Sequence, residues 1–325
     1  MSPACPDRRS RSAGNAGFTL PELLVVLVLA SVVAAVAAKV VRGQRRSLAA
    51  AVELVEMRSQ LRQAIHLLAT ELRPLAPDAG DIHEWSATAL RFRSFFGGSA
   101  ACRLTSDSTL VVPSPSGSEE IRLSSWLMQP QSGDSLLIYD PGRRFGAGDD
   151  RWRAFEISAV TPASAAEQCD PGVAALAGVN AGSALRIRVS IGAPLPRPDA
   201  LGAPVRFFRP VRYALYRSSD RRWYLGASDC NSRRTPACTT IQPVSGPYGS
   251  TGSGDGHGIT MEYHDRQGRQ LDPASDGASA IASIVLVVRG ETPGIVGGGA
   301  RGVRDSLFLV VAPRGARAGE PPGPQ

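Results

Sequence analysis

The sequence predicts an α+β fold in which one long N-terminal helix, half membrane-spanning and half amphipathic, packs on an antiparallel β-rich head. Three observations predict it. An apolar run without a charge extends from Leu23 to Ala38, and apolar residues then recur at intervals of three and four as far as Leu72. Beyond Pro77 the apolar period changes from 3.6 to 2. Helix first and strands afterwards is the order of an α+β chain, not of βαβ units. The 34 Gly and 25 Pro are together about 18% of the 325 residues, against ordinary usage of about 12%, which favours turns and short strands over a helical bundle.

Residues 1–17 are polar, carry Arg8, Arg9 and Arg11, and show no apolar period, so they read as a cytoplasmic leader and not as structure. At Phe18 the chain changes to FTLPELLVVLVLASVVAAVAAKVV, with Ser31 the one polar residue between Leu23 and Ala38. Residues 18–41 approach the ~20 residues, at 1.5 Å rise each, that cross a hydrocarbon core, and form the transmembrane half of the helix. In the amphipathic half, residues 42–73, Leu54, Met57, Leu61, Ile65, Leu68 and Leu72 make one apolar stripe among Glu53, Glu56, Arg58, Gln60, Arg62 and Glu71. Pro74 ends it, because the residue before a proline is pushed out of the α region. A helix unbroken from Phe18 to Arg73 is ~84 Å long, with Gly43 its weakest point.

Residues 78–312 form the β-rich head and 313–325 a disordered tail. Leu90, Phe92, Ser94 and Phe96 alternate with Arg91, Arg93 and Phe95, and Leu185, Ile187, Val189 and Ile191 with Arg186, Arg188 and Ser190, the mark of a sheet with one wet face. Further strands are expected at Leu110–Val112, Ile121–Leu123, Leu136–Tyr139, Phe155–Val160, Val205–Phe208, Val211–Tyr216, Trp223–Leu225, Ile259–Tyr263, Ile281–Val288 and Leu307–Val311. Ser218, Ser219 and Asp220 mark a hairpin turn. The run Ser283–Val288 is apolar on both faces and belongs centrally in the sheet; 246–258, 294–302 and the tail read as loop by composition.

With Cys5 in the leader, Cys102, Cys169, Cys230 and Cys238 remain, an even set without CxxC or metal-ligand spacing. Two disulfides suit an extracytoplasmic head. Three pairings are open, and Cys230–Cys238 with Cys102–Cys169 is the most local. In the loop-entropy model the shorter ring is worth at most ~2.6 kcal/mol and the longer ~4.4 kcal/mol. The formal charge of +7 falls to +5 without Arg8, Arg9, Arg11 and Asp7. No basic run in the head exceeds two residues, so a solvated surface is expected and no specific nucleic acid.

The string Gly17-Phe18-Thr19-Leu20-Pro21-Glu22 before the apolar run closely resembles the cleavage and methylation signature of type IV prepilins and type II secretion pseudopilins. That resemblance covers only the leader and the start of the membrane helix. It implies a prepilin peptidase that cuts after Gly17, N-methylation of Phe18, and an assembly role for Glu22 opposite the freed α-amino group of a neighbouring subunit. The implied partners are the peptidase, other pilin or pseudopilin subunits, an inner-membrane assembly platform and membrane lipid. The implied place is the inner membrane, spanned once, with a periplasmic head. Hydropathy alone does not account for Glu22: a carboxylate at mid-bilayer costs ~2.5–3.5 kcal/mol, and an opposite charge 4 Å away returns up to ~4 kcal/mol. Lys39 stands near the place where many major pilins carry a helix-breaking proline, which weakens any inference of local unwinding. The chain is about twice the length of a major pilin, and its large head and Met57–Arg73 resemble minor pilins of the PilW type, which prime or cap filaments. A large type II secretion pseudopilin is the alternative; basic charge alone speaks for a DNA-handling relative.

Rival readings have less support. Lys39, Arg42, Arg45 and Arg46 follow the span, so counting basic residues does not by itself put the N-terminus inside. A secretory precursor cut near Ala35-Val36-Ala37 would have Glu22 interrupting its apolar region. For an enzyme there is no GxSxG, HExxH or Walker loop. His66, His83, His257 and His264 are scattered, and Gly252, Gly254 and Gly256 lack a strand-then-helix context. Asp140, Asp149 and Asp150 fit no EF-hand. No catalytic residue, cofactor or metal is expected.

Overall fold

The structure is a computed structural model and describes residues 19–114, 125–142, 150–177, 184–190, 195, 201–231, 238–248, 258–292 and 303–314. Helix α1 runs from Leu20 to Leu72 without a break, Gly43 included, and spans about 80 Å at 1.5 Å per residue. Arg73 N–H still bonds the Ala69 carbonyl at 3.1 Å before Pro74 stops the helix. Among the described residues fourteen strands follow: β1 Ile82–Trp85, β2 Ala89–Ala100, β3 Arg103–Ser106, β4 Thr109–Pro113, β5 Ser125–Trp126, β6 Ser135–Asp140, β7 Arg151–Pro162, β8 Ala184–Val189, β9 Pro204–Arg217, β10 Trp223–Asp229, β11 Gln242–Tyr248, β12 Ile259–His264, β13 Ser283–Glu291 and β14 Arg304–Val311. A short helix α2, Pro171–Ala177, lies between β7 and β8.

The strands make two antiparallel sheets. The larger has the order β1-β2-β9-β6-β7-β8-β4-β3, with β10 and β11 continuing from β9 and β5 pairing β2; the smaller is β12-β13-β14. Val205–Phe208 and Val211–Tyr216, expected as two strands, are one strand, β9. Its two halves have different neighbours on one edge: β6 pairs residues 205–208 and β10 pairs residues 211–217, while β2 pairs residues 204–214 along the other edge. Pro210 falls in the gap between β6 and β10, where its missing N–H breaks no ladder bond to either. The hairpin turn after β9 is present. Ile121–Leu123, Ile191, residues 249–257 and 293–302 lie outside the described residues, as does 315–325. The expected loop at 246–258 begins later, since Gly246–Tyr248 belong to β11.

Two main cores result. One is shared by α1 and both sheets: Leu61, Leu68 and Leu72 meet Leu90, Phe92, Tyr213 and Leu225 of the larger sheet and Ile284, Leu286 and Val288 of the smaller. The other, around Phe96, Leu136, Ile138, Ile157, Ile187 and Phe207, lies within the curl of the larger sheet. That curl brings the end of β2 back to β4, where Cys102 N–H donates to the Val111 carbonyl at 2.9 Å. Strand β2 serves both cores because of a bulge: Phe95 pairs Phe208 and Gly97 pairs Phe207, leaving Phe96 as the extra residue that fills the second core.

Disulfides join Cys102 to Cys169 and Cys230 to Cys238. The first holds the start of α2 beside β2 and β4, in a small cluster with Val111, Val173 and Ala184. Near the second, Asp134 is fully buried and takes two bonds from Arg209, Nε to Oδ1 at 2.7 Å and Nη2 to Oδ2 at 3.0 Å. Gln131 N–H donates to the same carboxylate at 2.9 Å.

Candidate functional site

The first turn of α1 follows from its residues. Thr19 is extended, at φ −75 and ψ 149, and its carbonyl accepts the N–H groups of Glu22 at 3.0 Å and Leu23 at 3.2 Å. Pro21 is tolerated here because its missing N–H would have no intrahelical partner. Glu22 stands in the first turn, where its charge suits the positive end of the helix dipole. It is the one charged residue between Thr19 and Ala38, it is exposed, and no group among the described residues pairs with its carboxylate. Gly17 and Phe18 lie outside the described residues.

Above this turn α1 stands clear of the head. Thirteen large aliphatic side chains from Leu20 to Val41 are exposed, from 46% at Val41 to 75% at Leu20. The only polar side chain among residues 23–38 is satisfied within the helix, Ser31 Oγ donating to the Val28 carbonyl at 2.7 Å. Fully burying one Val or Leu is worth ~1.5–3 kcal/mol, so this surface in water would cost tens of kcal/mol. A lipid bilayer or the helices of other subunits can cover it. Its stripe continues past the membrane length at Leu48, Val52 and Val55, four and three residues apart and all more than half exposed.

From Met57 onward the same helix is fixed to the head. Gly290 of β13 allows this approach: a Cβ there would lie 2.8 Å from Met57 Cγ and 3.2 Å from Leu61 Cδ2. Arg58 Nε meets Asp305 Oδ2 at 2.8 Å, holding the Asp305 carboxyl below its ordinary range, and Ser245 Oγ donates to the Gln60 carbonyl at 3.3 Å. Ala64 and Ala69 are buried between Leu61, Leu68 and Leu72, while Leu54 and Ile65 are only half-buried. The sequence reading missed the two alanines and Gly290. Small residues on an apolar stripe were the available signal for the former; nothing in the sequence marks Gly290 as a helix seat.

Burial raises the Glu71 carboxyl, opposed by Ser94 Oγ, which donates to Oε2. A carboxyl with a raised folded pKa favours the folded state below its unfolded pKa, and that advantage is lost as pH rises through the folded value. Glu71→Gln keeps an acceptor for Ser94 and removes the charge. Its melting temperature relative to wild type should therefore rise between pH 4 and pH 7. Thermal melts at several pH values check this, and a difference that stays flat counts against it.

The remaining residues weighed from sequence come to no common site. Asp140 faces Arg153 at 3.4 Å, Asp150 accepts from the Tyr139 hydroxyl, and Asp149 is outside the described residues. His66 is exposed on α1, His83 is on β1 with its pKa lowered by burial and by Arg93 and Arg91, and His264 Nδ1 lies 3.3 Å from the Gly268 carbonyl. His257, Gly252, Gly254 and Gly256 are outside the described residues. Among the described residues no three His, Cys, Asp or Glu side chains are grouped to hold a metal.

Residues 12–38 match the family model of the prokaryotic N-terminal methylation motif, which covers under a tenth of the chain. No curated protein and no solved structure matches it. The chain thus carries a prepilin-type methylation motif, which implies processing by a prepilin peptidase, at the start of a long apolar helix that suits membrane anchoring.

Proposed function

We propose that the chain is a minor, initiating or priming subunit of a type IV pilus or a related filament, cut after Gly17, methylated on Phe18 and assembled through α1. One observation carries the reading. The methylation motif stands at the start of a helix whose thirteen bare aliphatic side chains from Leu20 to Val41 are left uncovered by the head. Before assembly that helix anchors the subunit in the inner membrane with the head outside; afterwards other subunits' helices replace lipid around it. The exchange needs little net hydrophobic energy, since one apolar surrounding replaces another. The head, joined to α1 over Met57–Leu72, moves with it as one piece. Two disulfides in the head support an oxidising compartment. The role is structural and calls for no catalytic residue. A type II secretion pseudopilin would use the same helix in the same way.

Coexpression with a prepilin peptidase should yield a chain that begins at N-methyl-Phe18, and Gly17→Glu should leave the leader attached. Intact-mass and N-terminal peptide measurements check both. A sole terminus at Met1 or Ala38 overturns the reading, and recovery with pili or with secretion machinery separates the two filament classes.

A further inference from the structure

We infer that Lys39, Arg42, Arg45 and Arg46 form a collar that binds the phosphate headgroups of anionic phospholipids, a site that rests on the membrane-spanning reading of α1 and adds a lipid preference to it. Steps of three and four put Lys39, Arg42 and Arg46 on one face of the helix, with Arg45 on its flank, and all four are exposed. None of them makes an ion pair or hydrogen bond among the described residues. Further along the same helix Arg58 meets Asp305 at 2.8 Å, and in the head Arg91, Arg93, Arg153, Arg186, Arg209, Arg269 and Arg304 each face a carboxylate within 4.0 Å.

Depth identifies the ligand. Residues 20–38 span ~28 Å at 1.5 Å each, close to the ~30 Å hydrocarbon core, so Lys39 falls at its edge and Arg46 ~10 Å beyond, within the headgroup layer. The head first buries α1 at Met57, ~16 Å above Arg46, so it does not cover the collar. Four basic residues on this side also oppose the orientation that the three arginines of residues 1–17 favour, which leaves insertion no use for them. Glu53 and Glu56 of a second copy are the competing partners. Two copies anchored in one bilayer lie level, however, so those carboxylates stand ~10–15 Å above a neighbour's Arg46, whereas lipid phosphates are at the collar's own height.

The test uses the full chain in nanodiscs of phosphatidylcholine doped with spin-labelled phosphatidylglycerol or spin-labelled phosphatidylcholine. A basic residue near an anionic surface is worth about a fivefold preference, so the collar should retain phosphatidylglycerol at least tenfold over phosphatidylcholine at low salt. The preference should approach one at about 1 M salt. Replacing all four by glutamine (K39Q, R42Q, R45Q and R46Q) should abolish it, while R42K, R45K and R46K together should keep it; the head's thermal melt should be unchanged in both. Equal retention of the two lipids by wild type, a preference that survives the glutamine variant, or cross-links from the collar to Glu53 or Glu56 of a second copy in phosphatidylcholine alone would each overturn the site. No peptidase or filament enters this measurement. A negative result here leaves the assembly reading standing, and a wrong mature terminus leaves the lipid result standing.

Discussion

Asp134→Ala should destabilise the head by about 3 kcal/mol, at the lower end of the ~3–5 kcal/mol seen when one partner of a buried ion pair is removed. Asp134 is fully buried and holds Arg209 with two bonds, while Arg209 itself is 15% exposed. Deleting the carboxylate strands the guanidinium between strands and removes the Asp134 acceptor of the Gln131 N–H. Asp229, 3.7 Å from Arg209 Nη1, returns part of the loss, which is why the lower end applies. For a unit of this size ~3 kcal/mol is a fall of ~6–12 °C in melting temperature. Thermal unfolding of the detergent-solubilised chain, followed by the fluorescence of the head's tryptophans, measures it. The double variant Asp134→Leu with Arg209→Met should recover most of the loss, because both charges then leave together. A change under ~0.5 kcal/mol for Asp134→Ala would mean that Arg209 is served well enough by Asp229 and water.

This pair also shows where the sequence stopped being legible. Asp134 and Arg209 are 75 residues apart, and nothing local marks either as buried. The helix was readable because its causes are local: an uncharged run, a stripe at intervals of three and four, and Pro74. Alternation likewise revealed β8 to within two residues where described, and the start of β2 to within one, although β2 runs four residues past Phe96 to Ala100. Strand membership was not local. Val205–Phe208 and Val211–Tyr216 read as two strands because Pro210 interrupts the pattern, yet they are one strand whose neighbour changes at that proline. Edge strands were missed for the same reason: β11 contains Pro243, Gly246 and Pro247, a composition that a central strand does not tolerate but an edge strand paired only to β10 does. Ser283–Val288 was placed centrally from its two apolar faces, and β13 is indeed central, in a second three-stranded sheet that no sequence signal separates from the first. At the candidate site, the motif and Glu22 were visible in the sequence, while the seat of α1 on Gly290 required the structure.

Glu22→Ala should leave processing and folding intact and cut incorporation into filaments tenfold or more. The head first buries α1 at Met57, 35 residues beyond Glu22, so head stability has no dependence on this side chain. Removing a carboxylate from the apolar span makes insertion slightly easier, by less than the ~2.5–3.5 kcal/mol that a charge costs at mid-bilayer, since Glu22 is near one end. What disappears is the proposed partner for the α-amino group of Phe18 on a neighbouring subunit. That pair is worth at most a few kcal/mol once the desolvation of both groups is counted. Even so, each ~1.4 kcal/mol is a factor of ten in recruitment. Glu22→Asp keeps the charge and shortens its reach by one methylene, so it should fall between wild type and alanine. The comparison needs four readouts on the three proteins: cleavage after Gly17, level in the membrane, melting of the head, and recovery in sheared filaments or in cross-links to other subunits. If the alanine variant is cleaved and incorporated as wild type is, the carboxylate is a tolerated residue at the membrane edge and its part in assembly is lost. If cleavage itself fails, Glu22 belongs to peptidase recognition instead, and the assembly role needs a processed variant to be judged.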